Sequence, residues 1–237
     1  MDELIAGGFP RNRTILVRGE CGTGKTIFGC QFLHNGIVKH DEPGILVLLE
    51  QNPDEFRDDM TTLGFDIKKL EGAKKFVLID VSLSRLNFGE QFVNIPVSTE
   101  SFSLLPGETT LDKLVNVIIE VARKIGAKRV VVDSLPALDI LAEREKDARR
   151  LLLSMSYKIK EAGLTAILIS EDGIDSSNVK ADIEKYVVDG VISLKYNVSG
   201  PDAGRKLVID KMRKTSHSEA IHPLRFVVDM GIEILKE

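Results

Sequence analysis

The sequence predicts an α/β fold in which helices flank a mostly parallel, twisted sheet that ends in an antiparallel extension. Three observations support this prediction. Short β-branched segments alternate with longer segments of helical period from Thr14 to about residue 170, which is the pattern of βαβ units. A glycine-rich motif, GECGTGKT, follows the first apolar segment and fits GxxxxGK[ST]. Beyond Asp189, apolar segments follow one another with no helical segment between them, as in antiparallel sheets.

The individual elements follow from these patterns. Five buried strands of the parallel sheet are predicted over residues 14–17, 45–50, 75–80, 129–134 and 164–170. Helices are predicted over 25–39, from Pro53 with Asn52 as the cap, over Leu111–Ile125, and over 143–162. The short strands of the extension are VISLKY, RKLVIDKMR, LRFVVD and GIEIL. We interpret residues 1–237 as one domain with a long irregular insertion over 82–108, and insertions of this length are usually functional or mobile.

Composition narrows the classes of protein to consider. The net charge of −4 gives no overall basic field of the kind that marks nucleic-acid coats or membrane-surface proteins, although a local basic patch is compatible with it. Cys21 and Cys30 lack the spacing of a zinc site or a disulfide framework, and His217 and His222 lack that of a shared metal site. Neither a secretory signal nor an apolar stretch of transmembrane length is seen. We therefore expect a soluble cytoplasmic protein with no membrane partner.

The glycine-rich motif has the context of a phosphate-binding loop, with a predicted strand before it and a predicted helix after it. Backbone N–H groups of such a loop wrap phosphates at the positive end of the helix. Lys25 is expected to contact the β and γ phosphates, and the Thr26 hydroxyl is expected to bind Mg²⁺. Cys21 is either a passive member of the loop or a place where oxidation blocks binding. The expected cofactor-binding residues are Gly19, Glu20, Cys21, Gly22, Thr23, Gly24, Lys25, Thr26 and Ile27.

Two aspartates end apolar strands and compete for a second magnesium ligand. Asp133 closes RVVVD, and such a strand end lies beside the nucleotide in parallel sheets, where a carboxylate holds magnesium through water. The alternative is that Asp133 only caps the next element. Asp80 closes KFVLID directly before the irregular insertion, so capping is the favoured reading there. We therefore predict Asp133 as the magnesium residue.

Two glutamates end strands at the same edge. Glu50 follows the second strand, where a carboxylate can orient and deprotonate the water that attacks the γ phosphate, unless it simply reaches solvent. This position separates enzyme classes, because a small-molecule kinase needs no water activator and an ATPase does. Glu171, at the end of the fifth strand, either senses the γ phosphate or is a surface carboxylate.

The segment KMRKTSH contains the last candidate group. Strand alternation places Lys211 and Arg213 on one face, about 7 Å apart. Such a pair can act as an arginine finger in the same chain or in another one. The alternative is a solvated basic strand, and spacing alone does not decide between the two.

Taken together, several segments resemble the KaiC-like branch of the RecA superfamily. They are GGFPRNRTILVRGECGTGKT, FGCQFLHNGI, DEPGILVLLEQNPDEF, KRVVVDSLPAL and KMRKTSHSEAIHPLRFVVDMGIEI. The resemblance extends in order over nearly the whole chain and is weakest between Val81 and Thr109. The chain is similar to a single stand-alone KaiC domain of the type common in archaea.

This resemblance implies a RecA-like P-loop NTPase core that binds ATP between the subunits of a homo-oligomeric ring, often a hexamer. Lys25, Thr26 and Asp133 match the nucleotide and magnesium residues of the family. Glu50 matches the first of two paired catalytic glutamates, and Lys211 and Arg213 match residues that reach a neighbour's phosphates. The expected ligands are thus ATP or ADP with Mg²⁺, and the expected partners are other copies of the chain.

Three departures from the family pattern qualify these expectations. Gln51 stands where the second glutamate is typical, so hydrolysis is expected to be slow. Lys214 stands where glycine is usual, so the local backbone is expected to differ. Some members of this family are duplicated clock proteins with a phosphorylated serine and threonine in the second half. Lys185 and Tyr186 stand at those two positions here, so no such phosphorylation cycle is expected there.

Three functions are therefore compared. The leading one is a slow, magnesium-dependent ATPase whose turnover works a conformational switch for a partner protein. The second is a nucleotide-gated scaffold with negligible hydrolysis, which Gln51 motivates. The third is a RecA-like accessory protein of DNA repair, which the acidic balance of the chain disfavours.

Overall fold

The computed structural model describes residues 1–81, 101–103, 111–138, 145–172, 186–199 and 203–235. Its sheet has ten strands, and the parallel part confirms the predicted fold class. The strands of that part are β1 (Thr14–Gly19), β2 (Gly44–Leu48), β3 (Phe76–Asp80), β4 (Ser101–Ser103), β5 (Arg129–Asp133), β6 (Thr165–Glu171) and β7 (Gly190–Asn197). Their spatial order is β7-β1-β6-β5-β2-β3-β4, and all neighbours run parallel.

The predicted antiparallel extension is present at the β7 edge. It contains β8 (Gly204–Met212), β9 (His222–Val227) and β10 (Gly231–Ile234), each antiparallel to its neighbour. β7 joins the two parts, because it pairs parallel with β1 and antiparallel with β8. The outermost strand on this side is β10.

Most helices lie where the sequence predicts them. Asn52 caps the second helix as expected, since its side chain accepts a hydrogen bond from the Asp54 amide. Two short helices were not predicted, because four to six residues are too few to show a helical period. The helices are α1 (Lys25–His40), α2 (Pro53–Thr62), α3 (Ile67–Gly72), α4 (Leu111–Ile125), α5 (Leu135–Leu138) and α6 (Glu145–Glu161).

Apolar side chains of the strands form one core on each face of the sheet. On β1, for example, Leu16 contributes to the face covered by α4 and α6, while Ile15 and Val17 contribute to the face covered by α1. Burial on both faces explains why these strands read as continuous apolar runs in the sequence. The same packing holds the first turn of α1 at the carboxyl edge of the sheet.

The predicted insertion over 82–108 is only partly described. Residues 101–103 form β4, which pairs parallel with β3, so this stretch is more regular than expected. A short backbone segment suffices to pair with the open edge of β3. The rest of the insertion and Lys185 lie outside the described residues, and the single-domain division stays a prediction.

Within the described ranges, no helix has the length and apolar character needed to cross a bilayer.

Candidate nucleotide-binding site

The carboxyl ends of three neighbouring parallel strands bring the predicted residues together. β6 lies between β1 and β5, with Gly19 aligned with Glu171 and Val132 aligned with Leu168. Gly19 opens the glycine loop, and Asp133 is the last residue of β5. Loop, aspartate and glutamate therefore meet at one edge of the sheet, the usual position of ligand sites in open α/β sheets.

The glycine loop ends at the first turn of α1. Gly24 has φ 101°, a left-handed conformation that favours glycine, and α1 begins at the next residue. A Cβ on Gly24 would lie 2.6 Å from the ring of Phe226, so the position also requires glycine for space. Inside the loop, the Thr23 hydroxyl donates to the carbonyl of Glu20 at 2.8 Å. The loop is thus anchored beside the positive end of a sixteen-residue helix.

Lys25 is folded back over the loop. Its Nζ donates to the carbonyl oxygens of Gly19 and Glu20, both at 2.9 Å. It also lies 3.5 Å from Glu171 Oε1, and its side chain is 8% exposed. The Lys25 ammonium group therefore contacts two carbonyl oxygens and one carboxylate oxygen beside the loop.

Thr26 and Asp133 form the second pair of the site. The Thr26 hydroxyl donates to Asp133 Oδ2 at 2.7 Å, as expected if both serve one magnesium ion. Hydroxyl and carboxylate oxygens are hard ligands that suit Mg²⁺, which keeps several waters and takes few protein ligands. These two residues therefore fit the ion, directly or through water, while among the described residues no group of three metal-ligating side chains is found.

Burial makes Asp133 an unusual carboxyl group. It raises the pKa of Asp133 to about 6, opposed by the hydrogen bond from Thr26 and the charge of Lys25. The charges of Glu50 and Glu171 raise this pKa further. Strong perturbation by burial and by like charges is typical of functional carboxylates. A bound divalent cation would compensate the buried charge.

Glu50 lies near Asp133, but it is not part of the strand. β2 ends at Leu48, so the predicted strand 45–50 is two residues too long, and Glu50 is exposed. The backbone after Leu48 leaves the ladder while the Leu49 amide still donates to the Asp133 carbonyl at 2.8 Å. This bond keeps Glu50 beside β5, where its charge acts on Asp133.

Gln51 points toward α2. Its Nε2 donates to Asp59 Oδ2 at 2.8 Å. A glutamate at this position would face the Asp59 carboxylate instead, which is unfavourable. The family departure at Gln51 thus has a local partner in this chain.

Asp80 does not join this site. Asp80 ends β3, and β2 separates it from Asp133, since Leu48 aligns with both residues. His222 contacts Ser218 through Nε2 at 2.8 Å. Cys21 is exposed in the loop.

Lys211 and Arg213 lie at the amino end of the parallel strands, opposite to the carboxyl end that carries the glycine loop. Met212 aligns with Gly190, four residues before Leu194, which aligns with Gly19. This separation is about 13 Å along the strand. Lys211 Nζ donates to the Val188 carbonyl at 2.8 Å, and the Arg213 amide donates to the Asp189 carbonyl at 3.0 Å. The pair therefore does not reach its own glycine loop.

The local structure of KMRKTSH differs in two ways from expectation. β8 ends at Met212, so Arg213 lies beyond the strand on which the alternation argument relied. Burial and the charge of Arg213 lower the pKa of Lys211, so the two cations remain close. Lys214 has φ 67°, a conformation that favours glycine, so the expected change of backbone at this position is not supported.

Sequence reasoning missed one group beside the loop. The Arg205 guanidinium donates to the Gly22 carbonyl at 3.2 and 3.3 Å. Its Cζ lies 4.4 Å from the ring centroid of Tyr196 and 4.3 Å from that of Phe226. No motif connects these residues to the loop, because strand pairing in the antiparallel extension brings them there. The sequence contained only one indication of this group, namely that Tyr196 and Arg205 belong to neighbouring strands of the extension.

Comparison with known proteins is consistent over the whole chain. The model of the family described as "ATPase: KaiC" matches residues 1–237. A UPF0273 protein of Methanocaldococcus jannaschii is 34% identical, over 94% of this chain and 88% of the relative. The circadian clock oscillator protein KaiC of Thermostichus vulcanus is 31% identical over 98% of this chain but 42% of its own length. These matches confirm the resemblance seen in the sequence.

A solved structure gives the same result for the fold. The chain is similar to a KaiC-like protein from the hyperthermophilic archaeon Pyrococcus horikoshii, with a TM-score of 0.80 and 32% sequence identity. The likeness covers 100% of this chain and 95% of that one. A RecA-type α/β core is thereby confirmed.

The raised pKa of Asp133 predicts a stability effect that depends on pH. The folded chain holds a proton that the unfolded chain releases between pH 3.8 and about 6, so the free energy of unfolding falls as pH rises through this window. Without Mg²⁺ and nucleotide, Asp133→Asn should raise the melting temperature at pH 7.5 by about 5 °C, and by much less at pH 4.5. Circular dichroism melts at both pH values measure this. A lower melting temperature at pH 7.5, or an equal gain at both values, would contradict the assignment.

The contact between Glu171 and Lys25 predicts an effect on affinity. The Glu171 carboxylate competes with phosphate for the Lys25 cation, and its negative charge repels the phosphate. Glu171→Gln should therefore tighten binding of ATP with Mg²⁺ about fivefold at low salt. Asp172→Asn is the matched control, because Asp172 pairs with Arg18 at 2.9 Å instead. Titration calorimetry compares the two variants. Weaker binding by Glu171→Gln would mean that the carboxylate assists the ligand.

Proposed function

This chain belongs to the KaiC family of ATPases, and we propose that it binds ATP with Mg²⁺ in the glycine loop and hydrolyses it slowly. The observation that carries the proposal is the meeting of Lys25, Thr26 and Asp133 at one sheet edge, with Glu50 close enough to perturb the Asp133 carboxyl. The family supports ATP as the nucleotide. Turnover would drive a conformational switch that a partner protein reads.

Each residue has a distinct role in this proposal. Lys25 leaves the carbonyls of Gly19 and Glu20 and donates to the β and γ phosphates, while loop amides and the N-terminus of α1 bind the remaining oxygens. Thr26 and the ionised Asp133 would hold Mg²⁺, which would neutralise charge on the phosphates. Glu50 accepts a proton from the water that attacks the γ phosphorus, while the bond to the β–γ bridging oxygen breaks and ADP leaves with inorganic phosphate as the second product. The exposed position of Glu50 allows water to reach it.

The site of one copy would be completed by a second copy. Lys211 and Arg213 lie at the amino end of the parallel strands, away from the loop. We propose that they contact the phosphates of a nucleotide bound to another copy of the chain. In a ring of identical subunits this end of one copy meets the loop end of the next. Arg213, which is exposed, is the residue that would reach the γ phosphate.

The base would lie on the β8–β9 side of the loop. Phe226 covers Gly24 there, and the Arg205 guanidinium lies over the same ring. Aromatic and guanidinium planes are the usual stacking partners of nucleobases. We propose that the base stacks against Phe226 with Arg205 displaced from the ring.

A nucleotide-gated scaffold is the second candidate, and the hydrogen bond between Gln51 and Asp59 favours it. Since Gln51 hydrogen-bonds to α2 and carries no charge, it supplies no second carboxylate next to Glu50. In single-turnover experiments, tight ATP binding with an unmeasurably slow chemical step would favour the scaffold. Measurable phosphate release would favour the ATPase.

The hydrolytic role of Glu50 is tested by Glu50→Gln. This change keeps a hydrogen-bonding group but removes the proton acceptor, so phosphate release should fall about 100-fold while ATP affinity changes less than about twofold. Lys25→Ala is the comparison variant, because it should abolish binding itself. If the wild-type protein releases no more phosphate than Glu50→Gln, the hydrolytic part of the proposal is wrong.

A further inference from the structure

We propose that Gln31 is a positioning residue for the nucleotide base. Its side chain holds the β9–β10 hairpin (residues 222–234), which carries Phe226, at a set place relative to the phosphate-binding end of α1. The inference rests on the proposed function, because it concerns the base side of that same site.

The contact between Gln31 and the hairpin has two hydrogen bonds. Gln31 Nε2 donates to the Ile232 carbonyl at 3.1 Å, and the Ile232 amide donates to Gln31 Oε1 at 2.8 Å. The side-chain amide thus pairs with both backbone groups of one residue, as a neighbouring strand would. Ile232 is on β10, the outermost strand, whose free edge would otherwise leave these groups without a protein partner.

Close packing accompanies the two hydrogen bonds. Gly231 has φ 81°, and a Cβ there would lie 2.7 Å from the ring of Phe65 and 2.9 Å from Gln31 Oε1. The turn between the strands is also tied to the end of α2, since the Asp229 amide donates to the Leu63 carbonyl at 2.8 Å. The hairpin is therefore seated on α1 at one defined position.

The strand pairing between the hairpin and β8 is short. β9 aligns with β8 at only three positions, Arg205 with Leu224, Lys206 with Pro223 and Leu207 with His222. Phe226 lies beyond this ladder, toward the turn of the hairpin. Its distance from the loop thus depends on contacts outside the ladder as well, and Gln31 provides two hydrogen bonds among them.

The helix converts this contact into a spacing between phosphate and base. Lys25 begins α1, and Gln31 lies six residues later, about 9 Å along the helix axis. Phe226 and Ile232 both reach back to Gly24, the residue before Lys25. The hairpin thus contacts both the loop, through Phe226 and Ile232 beside Gly24, and the helix, through the hydrogen bonds of Gln31. Both of its hydrogen bonds go to Ile232, and neither goes to the groups that would bind phosphate.

This geometry separates the base from the phosphates in an experiment. Gln31→Met keeps the length and removes both hydrogen bonds, so it should weaken binding of ATP with Mg²⁺ about tenfold. Inorganic tripolyphosphate has no base, and its affinity should change less than about twofold. In a Phe226→Ala background, Gln31→Met should have no further effect on ATP affinity, because its effect acts through Phe226. Titration calorimetry on the full chain measures each ligand.

The matched control is Arg225→Gln on the same hairpin. Arg225 pairs with Glu233 across the hairpin at 2.6 Å and is exposed, so its loss should leave both affinities unchanged. Tripolyphosphate binding by Gln31→Met also reports that the variant is folded.

Four outcomes would overturn the inference. Unchanged ATP affinity in Gln31→Met, or equal losses for ATP and tripolyphosphate, would reject the positioning role while leaving the nucleotide site intact. An additive effect with Phe226→Ala would reject the route through Phe226. If the wild-type chain binds neither ligand, the nucleotide site itself is wrong and the inference falls with it.

Discussion

The shared direction of the parallel strands is the constraint on which the rest of the structure depends. Because β1, β5 and β6 run the same way, the glycine loop, Asp133 and Glu171 come to one edge of the sheet. The first turn of α1 is held at that edge by the packing of its apolar face. Lys211 lies at the other end of the strands, because β8 runs antiparallel to β7 and ends where β7 begins. In the ring that we propose, these two ends of neighbouring copies form one site.

Charge gives this edge its chemical character. Glu171 pairs with the Lys25 ammonium group at 3.5 Å. Burial and the charges of Glu50 and Glu171 raise the pKa of Asp133, while the charge of Lys25 lowers it. Such an arrangement stabilises the ligand-free fold poorly, and in the function that we propose Mg²⁺ would balance the carboxylates and phosphates would balance the lysine. Ligand binding is therefore linked to folding stability, since a ligand that binds only the folded state stabilises it by mass action. The charged groups of this site thus lower the stability of the ligand-free fold, as they do in many active sites.

Much of this architecture could be predicted from the sequence, and the exceptions have physical reasons. The long apolar strands and α1, α4 and α6 show clear periods. The glycine loop motif and the aspartate at the end of an apolar strand predicted separately that Thr26 and Asp133 belong to one site, and the two residues lie within hydrogen-bond distance. The end of β2 was misplaced because Leu49 is as apolar as the strand residues, although the backbone turns away after Leu48. Arg205, Phe226 and Gln31 could not be found, because their contacts join residues about 180 to 200 positions apart. Such contacts are set by strand order, which no local pattern reports.

The most direct test of the central claim mixes two inactive variants. Lys25→Ala removes the phosphate-binding cation, and Arg213→Ala removes the cation that we assign to a neighbouring copy. Each variant alone should hydrolyse ATP far more slowly than the wild-type chain. If the site is shared, mixing them should restore part of the activity at interfaces that combine an intact loop with an intact Arg213, and the mass of the assembly should exceed that of one chain when ATP and Mg²⁺ are present. No recovery on mixing, together with full wild-type activity in a strictly monomeric protein, would contradict the account.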